Sequence, residues 1–352
     1  MNANKLKIAL GCYTDAAHPN GLKMLELDEI SGAMSVCVEY PVSNALYQAL
    51  SPDGAVLYSC TGEGLAAFRC QDMLDKCDDV KLGGCVCHVA ALPDGKRVVF
   101  ADYLGGFAGS VAVENGRFGE VVMHRHSGSG PNLPRQEKAH CHQALPLPDG
   151  SGYAVCDLGL DEIVTYPEGR IFKTTPAGAG PRHLLFHPNG RLAFLVSELG
   201  NLVSSLSWSS ADGFRTLDTL STLSDEKYII SLREANPIQK TTEANLAAAI
   251  RFAPDMNRIV VSNRGENSLV VYDFDSETGR LAFKSRTFLA GSWPRDFMFV
   301  SDDLALVAME RSGEVHILRY DEATGDFNAI ASLGGLFRPV AFCKCRAENA
   351  LE

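Results

Sequence analysis

The chain has 352 residues, 46% of them hydrophobic and 21% charged, with a formal net charge of −11. It is long enough to bury a large core, and it contains no apolar run of about 18 residues that would serve as a membrane-spanning helix. The acidic balance argues against non-specific nucleic-acid binding, which needs a positive surface, but it leaves room for a local arginine cluster that holds a small anion. The first segment, KLKIALGCYT (5–14), has too short an apolar stretch for a secretory leader and reads as a strand. GLKMLELDEISGAM (21–34) follows it with the pattern of a second strand and a turn.

A repeat then begins. A Pro-Asp-Gly-like turn followed by a short apolar run occurs as SPDGAVLYSC (51–60), LPDGKRVVFAD (92–102), LPDGSGYAVCD (147–157), HPNGRLAFLVSE (187–198) and APDMNRIVVSN (253–263), with a degenerate copy at VSDDLALVAME (300–310). The turn residues Pro52, Pro93, Pro148, Pro188, Pro254 and Ser301 stand roughly 40 to 66 residues apart, the spacing of propeller blades with insertions in their loops. Each unit goes on to a third and a fourth strand, most cleanly in SNRGENSLVVYDFDSETGRLAF (262–283). The strands are almost continuously apolar, as expected where both faces of a sheet are covered. LAAAIRF (246–252) is the best helical candidate and is too short to support an α/β reading.

Six units are countable. LFRPVAFCKC (336–345) looks like an innermost strand with no blade after it, and the N-terminal segment looks like a blade without its innermost strand. Joined, they make a seventh blade and close the ring, which removes exposed sheet edges. The predicted fold is therefore all-β: one seven-bladed β-propeller domain over 1–352, in which N-terminal strands within 5–40 and a C-terminal strand within 336–345 share one blade. Two segments exceed what blades need, 114–142 and 221–245, and both are expected to cover the same face.

Registering the repeats on the turn residue places Leu46, Cys87, His142, Arg182, Ala248 and Arg295 six positions earlier, where the innermost strand begins. The ends of the following strands read Asp102, Asp157, Glu198, Asn263 and Glu310, and the next positions Tyr103, Leu158, Leu199, Arg264 and Arg311. In a propeller both registers lie on one face, so cations and carboxylates converge at one opening of the channel. Arginine offers a fixed fork for carboxylate or phosphate, and histidine titrates near neutrality. Asp102, Asp157 and Asn263 are expected to cap turns. His88 and His183, five before the turn residue, suit either the channel or a blade interior; Trp293 suits either the mouth or an inter-blade contact. His124 and His126 fall in an insertion and are expected to be exposed.

No CxxC pairing accompanies Cys85, Cys87, His88, His140, Cys141 and His142, so no metal site is expected. A GxSxG elbow for Ser-His-Asp chemistry is also absent. The 11 cysteines, several inside apolar runs, read as free thiols of a cytoplasmic protein.

The segments PNLPRQEKAHCHQALPLPDGSGYAVCDLGLDEI (131–163), AGAGPRHLLFHPNGRLAFLVSELGN (177–201), AAAIRFAPDMNRIVVSNRGENSLVVYDFD (247–275) and WPRDFMF (293–299), together with the opening GCYT, resemble the lactonase family. That family groups propeller-type 6-phosphogluconolactonases with 3-carboxy-cis,cis-muconate lactonizing enzyme. The resemblance covers essentially the whole chain and implies seven blades. It also implies an active site in which His142, Glu198 and Arg264 are catalytic and Arg182 holds the substrate, with His140 competing with His142. Arg295, His88 and His183 would line the substrate site. The expected activity is hydrolysis of an anionic sugar lactone without a cofactor, in carbohydrate metabolism at the pentose phosphate pathway. The alternatives are a cycloisomerase of the carboxymuconate type or a non-catalytic scaffold, and the sequence does not fix the oligomeric state.

Overall fold

The computed structural model describes residues 5–71, 73–224 and 245–345. Seven four-stranded antiparallel sheets account for all 28 strands found among them. β1 (Lys5–Cys12), β2 (Leu22–Asp28) and β3 (Met34–Tyr40) lie in the blade whose innermost strand is the last of the chain, β28 (Pro339–Lys344), in the order β28-β1-β2-β3. The other innermost strands are β4 (Gln48–Leu50), β8 (Val86–Ala91), β12 (Cys141–Pro146), β16 (Pro181–Phe186), β20 (Leu246–Phe252) and β24 (Pro294–Phe299). The fold is thus a seven-bladed β-propeller closed by its N-terminal strands. LAAAIRF (246–252) is strand β20, not a helix: its leading residues are buried on both faces, so no helical stripe could be satisfied there.

The turn motif explains itself in atomic terms. Asp53, Asp94, Asp149, Asn189 and Asp255 each accept a hydrogen bond from the backbone N–H two residues on, at 2.9–3.0 Å. The residue after each is left-handed: Gly54, Gly95, Gly150 and Gly190 have φ of 68–75°, and Met256 takes the same position at 57°. Proline presets the turn, the carboxylate or amide seals it, and glycine tolerates the third position. The apolar strands that follow are covered from both sides. One buried cluster lies at each of the seven blade contacts, such as Tyr58 and Leu65 against Val98 and Phe100, or Ile8 and Leu25 against Leu306 and Ile317. Each large apolar side chain buried there contributes roughly 1.5–3 kcal/mol. The outer strands alternate instead; β3 is half-buried and exposed by turns, as an edge should be.

Of the two long segments, 114–142 is only partly a loop. Arg117–Arg125 forms the outer strand β11, and the chain between it and β12 is the true insertion. The other, 221–245, lies for the most part outside the described residues. All 11 cysteines are free, and only Cys37 is exposed. Among the described residues no helix is long and apolar enough to cross a membrane.

Candidate active site

Six of the seven innermost strands are bulged near their start. Pairing with the neighbouring strand slips at Cys87, His142, Arg182, Ala248–Ala249, Arg295 and Val340. These are the positions that the turn register singled out, plus the closing strand. A bulge leaves one residue without a ladder partner and re-aims its side chain. In blades led by β12, β16 and β24 the re-aimed residue is a histidine or an arginine.

The side chains converge on Glu198, which follows the strand β17 (Leu192–Ser197) and is 2% exposed. Its Oε2 accepts from Arg182 Nε at 2.9 Å and faces Arg264 Nη2 at 2.7 Å, while Oε1 accepts from Arg135 Nη2 at 2.6 Å. His142 Nε2 is 3.9 Å from Oε2, and its Nδ1 is buried without a partner. Arg182 also donates to the Ala248 carbonyl at 2.6 Å and Arg264 to that of Ala247 at 3.1 Å, so each cation bridges two blades. Burial works against the Glu198 charge, but Arg264, Arg135 and Arg182 outweigh it and hold the carboxyl well below its usual range. Burial, with Arg182 beside it, pushes His142 well below the usual imidazole value, so the ring is neutral.

Arg135 was in plain sight within PRQEKAHCH but had no place in the repeat register, because it sits in the insertion. Its sequence signals were the insertion's length and its place in a segment that resembles the lactonase family. It donates to the Tyr103 hydroxyl at 3.0 Å, and its Nη1 is buried and unpaired. His140 does not join the cluster. Its ring stacks on Tyr103 at 4.2 Å, with Nδ1 at 2.8 Å from the Tyr103 carbonyl and Nε2 at 3.2 Å from Glu137. It props the residue that props Arg135.

One residue further along their strands, His88 and His183 form an aromatic layer with Tyr47. Ring centroids are 4.1 Å apart for Tyr47–His88, 5.7 Å for His88–His183 and 5.3 Å for His183–His142. Burial lowers His88 to about 3 and His183 well below its ordinary value. Arg251, paired with Asp296 at 2.9 and 3.0 Å, adds its charge to that effect. Arg295 stands apart from Glu198 and pairs with Glu310 at 3.3 Å. Trp293 is both wall and packing: it is buried against Leu158, Leu199 and Leu246, with Arg311 over its face.

His126 corrects the expectation of exposure. Its side chain is 5% exposed, with Nδ1 at 2.8 Å from Asp157 and Nε2 at 2.9 Å from the Tyr166 hydroxyl. His124 stacks on the same tyrosine at 3.9 Å. His126, Cys141 and Asp157 bring ligand-type atoms within 4.8 Å of one another. Those atoms are already engaged, since Asp157 Oδ1 also accepts from the backbone of His140, Gly159 and Leu160. The group fastens the insertion to the blade. Asn263 likewise ties Thr222 and Ser268 together at a turn. Two open clefts, of about 370 and 470 Å³, lie elsewhere: one between the flanks of neighbouring blades beside Tyr40 and Thr61, the other beside Asn132 and Gly178. Neither gathers the arginines and histidines that converge on Glu198.

A closed ring of seven blades thus gathers three arginines on one buried carboxylate. The chain belongs to the family described as lactonase, seven-bladed β-propeller, whose model matches residues 7–335. It is 30% identical over 351 residues to the 6-phosphogluconolactonase of Bacillus subtilis, covering 94% of this chain and 96% of that one. A solved protein from Lactobacillus plantarum superposes with a TM-score of 0.84 at 28% identity, covering 97% and 100% of the two chains. The periplasmic gluconolactonase of Pseudomonas aeruginosa shares the fold, with a TM-score of 0.85 at 23% identity and coverage of 97% and 99%.

Proposed function

We propose that the protein hydrolyses 6-phosphoglucono-δ-lactone or a closely related anionic sugar lactone at the channel mouth, with the Glu198 cluster as its reaction centre. The observation that carries this reading is the pairing of a neutral, buried His142 with arginines that are already ordered. His142 Nδ1 has no protein partner and is available to take a proton from the attacking water. Glu198 stabilises the imidazolium formed. It is a poor base itself, because three arginines hold its charge. Arg182 and Arg264 donate to the oxyanion as the carbonyl becomes tetrahedral. The imidazolium then returns the proton to the ring oxygen as the C–O bond breaks. δ-Lactones are reactive esters, so a weak base suffices.

The many buried thiols suit a reducing compartment, and we place the reaction in the cytoplasm, in the pentose phosphate pathway. Lactone opening releases one proton, so a pH-indicator assay reads it directly. Wild-type protein is expected to exceed the spontaneous rate, and His142→Ala and Arg182→Ala each to lower kcat/KM by about 10²–10³. Full activity in both variants, or no wild-type rate above background, overturns the assignment.

A further inference from the structure

A second cluster of charge lies next to the first, with the same excess of arginine over acid but more exposed. Glu310, 3% exposed, accepts from Arg338 Nε at 3.2 Å through Oε1 and faces Arg295 Nη1 at 3.3 Å through Oε2. Arg311, the next residue, has no carboxylate partner among the described residues; its guanidinium lies 3.3 Å over the Trp293 ring. The three arginines outnumber their one acid. Two of them are also reachable: the Arg338 side chain is 48% exposed and Arg311 is exposed, whereas no side chain around Glu198 exceeds 11%. Tyr13 packs between two of them, with Arg338 at 4.1 Å and Arg295 at 5.4 Å from its ring centroid.

The backbone points the same way. The residue before the first proline of an innermost strand is left-handed in β16, β24 and β28. In β16 it is Gly180, at φ 67°. In the other two it is Trp293, at 73°, and Arg338, at 46°. A large side chain in that conformation costs energy that glycine would not, and such outliers persist where the surroundings enforce them, often at ligand clamps. Both outliers fall in this cluster. Trp293 also joins the two groups of charge: its ring meets Arg311 on one side and lies 5.7 Å from Arg264, which holds Glu198.

We propose that Arg295, Arg311 and Arg338, walled by Tyr13 and Trp293, form a phosphate subsite distinct from the Arg182–Arg264 pair, so that the substrate is a sugar lactone carrying a phosphomonoester. This inference rests on the lactonase reading. A phosphomonoester carries about −1.5 to −2 charges near neutrality, which matches three cations less one carboxylate. Arginine's planar fork suits its oxygens. The exposed phosphate end would be captured first, and the lactone ring would reach past Trp293 to Arg264 and Arg182.

The test compares 6-phosphoglucono-δ-lactone with unphosphorylated glucono-δ-lactone in wild type, Arg311→Ala, Arg338→Ala and the double variant. Each charge-assisted contact is expected to give about tenfold in KM for the phosphorylated lactone, so the double variant's preference for it over the unphosphorylated one falls about 100-fold. The kcat for the phosphorylated lactone should change little, and Arg311→Lys should recover part of the loss. Inorganic phosphate should raise the wild-type melting temperature more than that of the double variant. Equal loss on both lactones, or an unaltered preference, overturns the subsite. If wild type turns over neither lactone, the lactonase reading fails; the phosphate melting shift then decides the subsite alone, and its equality in wild type and double variant overturns it.

Discussion

Replacing Glu198 with Gln keeps the shape of the side chain and removes its charge. Arg135, Arg182 and Arg264 then remain buried together, at the positions where they now lie 2.6–2.9 Å from the carboxylate oxygens. Removing one partner of a buried ion pair costs about 3–5 kcal/mol, because the remaining charge stays desolvated. At about 2.1 cal/mol/K per residue, unfolding 352 residues carries an entropy of about 0.7 kcal/mol/K. The melting temperature of Glu198→Gln should therefore fall by about 4–7 °C in scanning calorimetry. Inorganic phosphate should restore part of that loss, since an anion can replace the missing charge, and should stabilise the variant more than the wild type. Catalysis should fall as well, because the imidazolium of His142 loses its counter-ion. A variant melting within about 1 °C of wild type, with no greater response to phosphate, would refute the view that Glu198 exists to neutralise this cluster.

Acid should destabilise the protein earlier than carboxylate titration alone would. His88, His142 and His183 all bind protons less readily folded than unfolded, so stability is full above the unfolded value near 6.5 and is lost as the pH falls below it. The slope is about 1.4 kcal/mol per pH unit for each ring, and His88→Phe should remove one ring's share in denaturant titrations from pH 6.5 to 4.5. A Cβ at Gly159 would come within 1.9 Å of the Lys138 carbonyl oxygen. Gly159→Ala should therefore displace the segment that carries Arg135, costing about 1–3 kcal/mol and lowering kcat/KM. Native protein should show about one fast-reacting thiol with a disulfide reagent, Cys37, because burial raises Cys60 and Cys141 far above the usual thiol range. Several fast thiols would mean that the blades open readily.

Blade number and ring closure were readable from the turn motif because that motif is local: proline, a capping side chain and a left-handed residue act within four positions. The site was partly readable because the bulge keeps a fixed distance from the turn, which picked out His142, Arg182 and Arg295. What escaped lacked that ruler. Arg135 stands in the insertion ahead of β12, outside the repeated register. Arg338 precedes β28, which has no turn motif after it to count back from. His126 looked exposed because its neighbours are Gly, Ser and Pro, whereas its place under Tyr166 and against Asp157 depends on contacts 31 and 40 residues away.

Ring closure bears on when the protein becomes competent during its synthesis. Tyr13 follows the first strand, Arg338 stands just ahead of the last, and Arg295 and Arg311 belong to the sheet led by β24. The Glu198 cluster draws only on residues up to Arg264 and could assemble while the ribosome is still translating the final sheets. The Glu310 cluster cannot, because its parts come from beside the first and the last strands of the ring. A phosphorylated ligand held there would also tie the first strand to the last, and so oppose the fraying through which proteases enter a circular fold. Its binding would distinguish a finished ring from a nicked or truncated one.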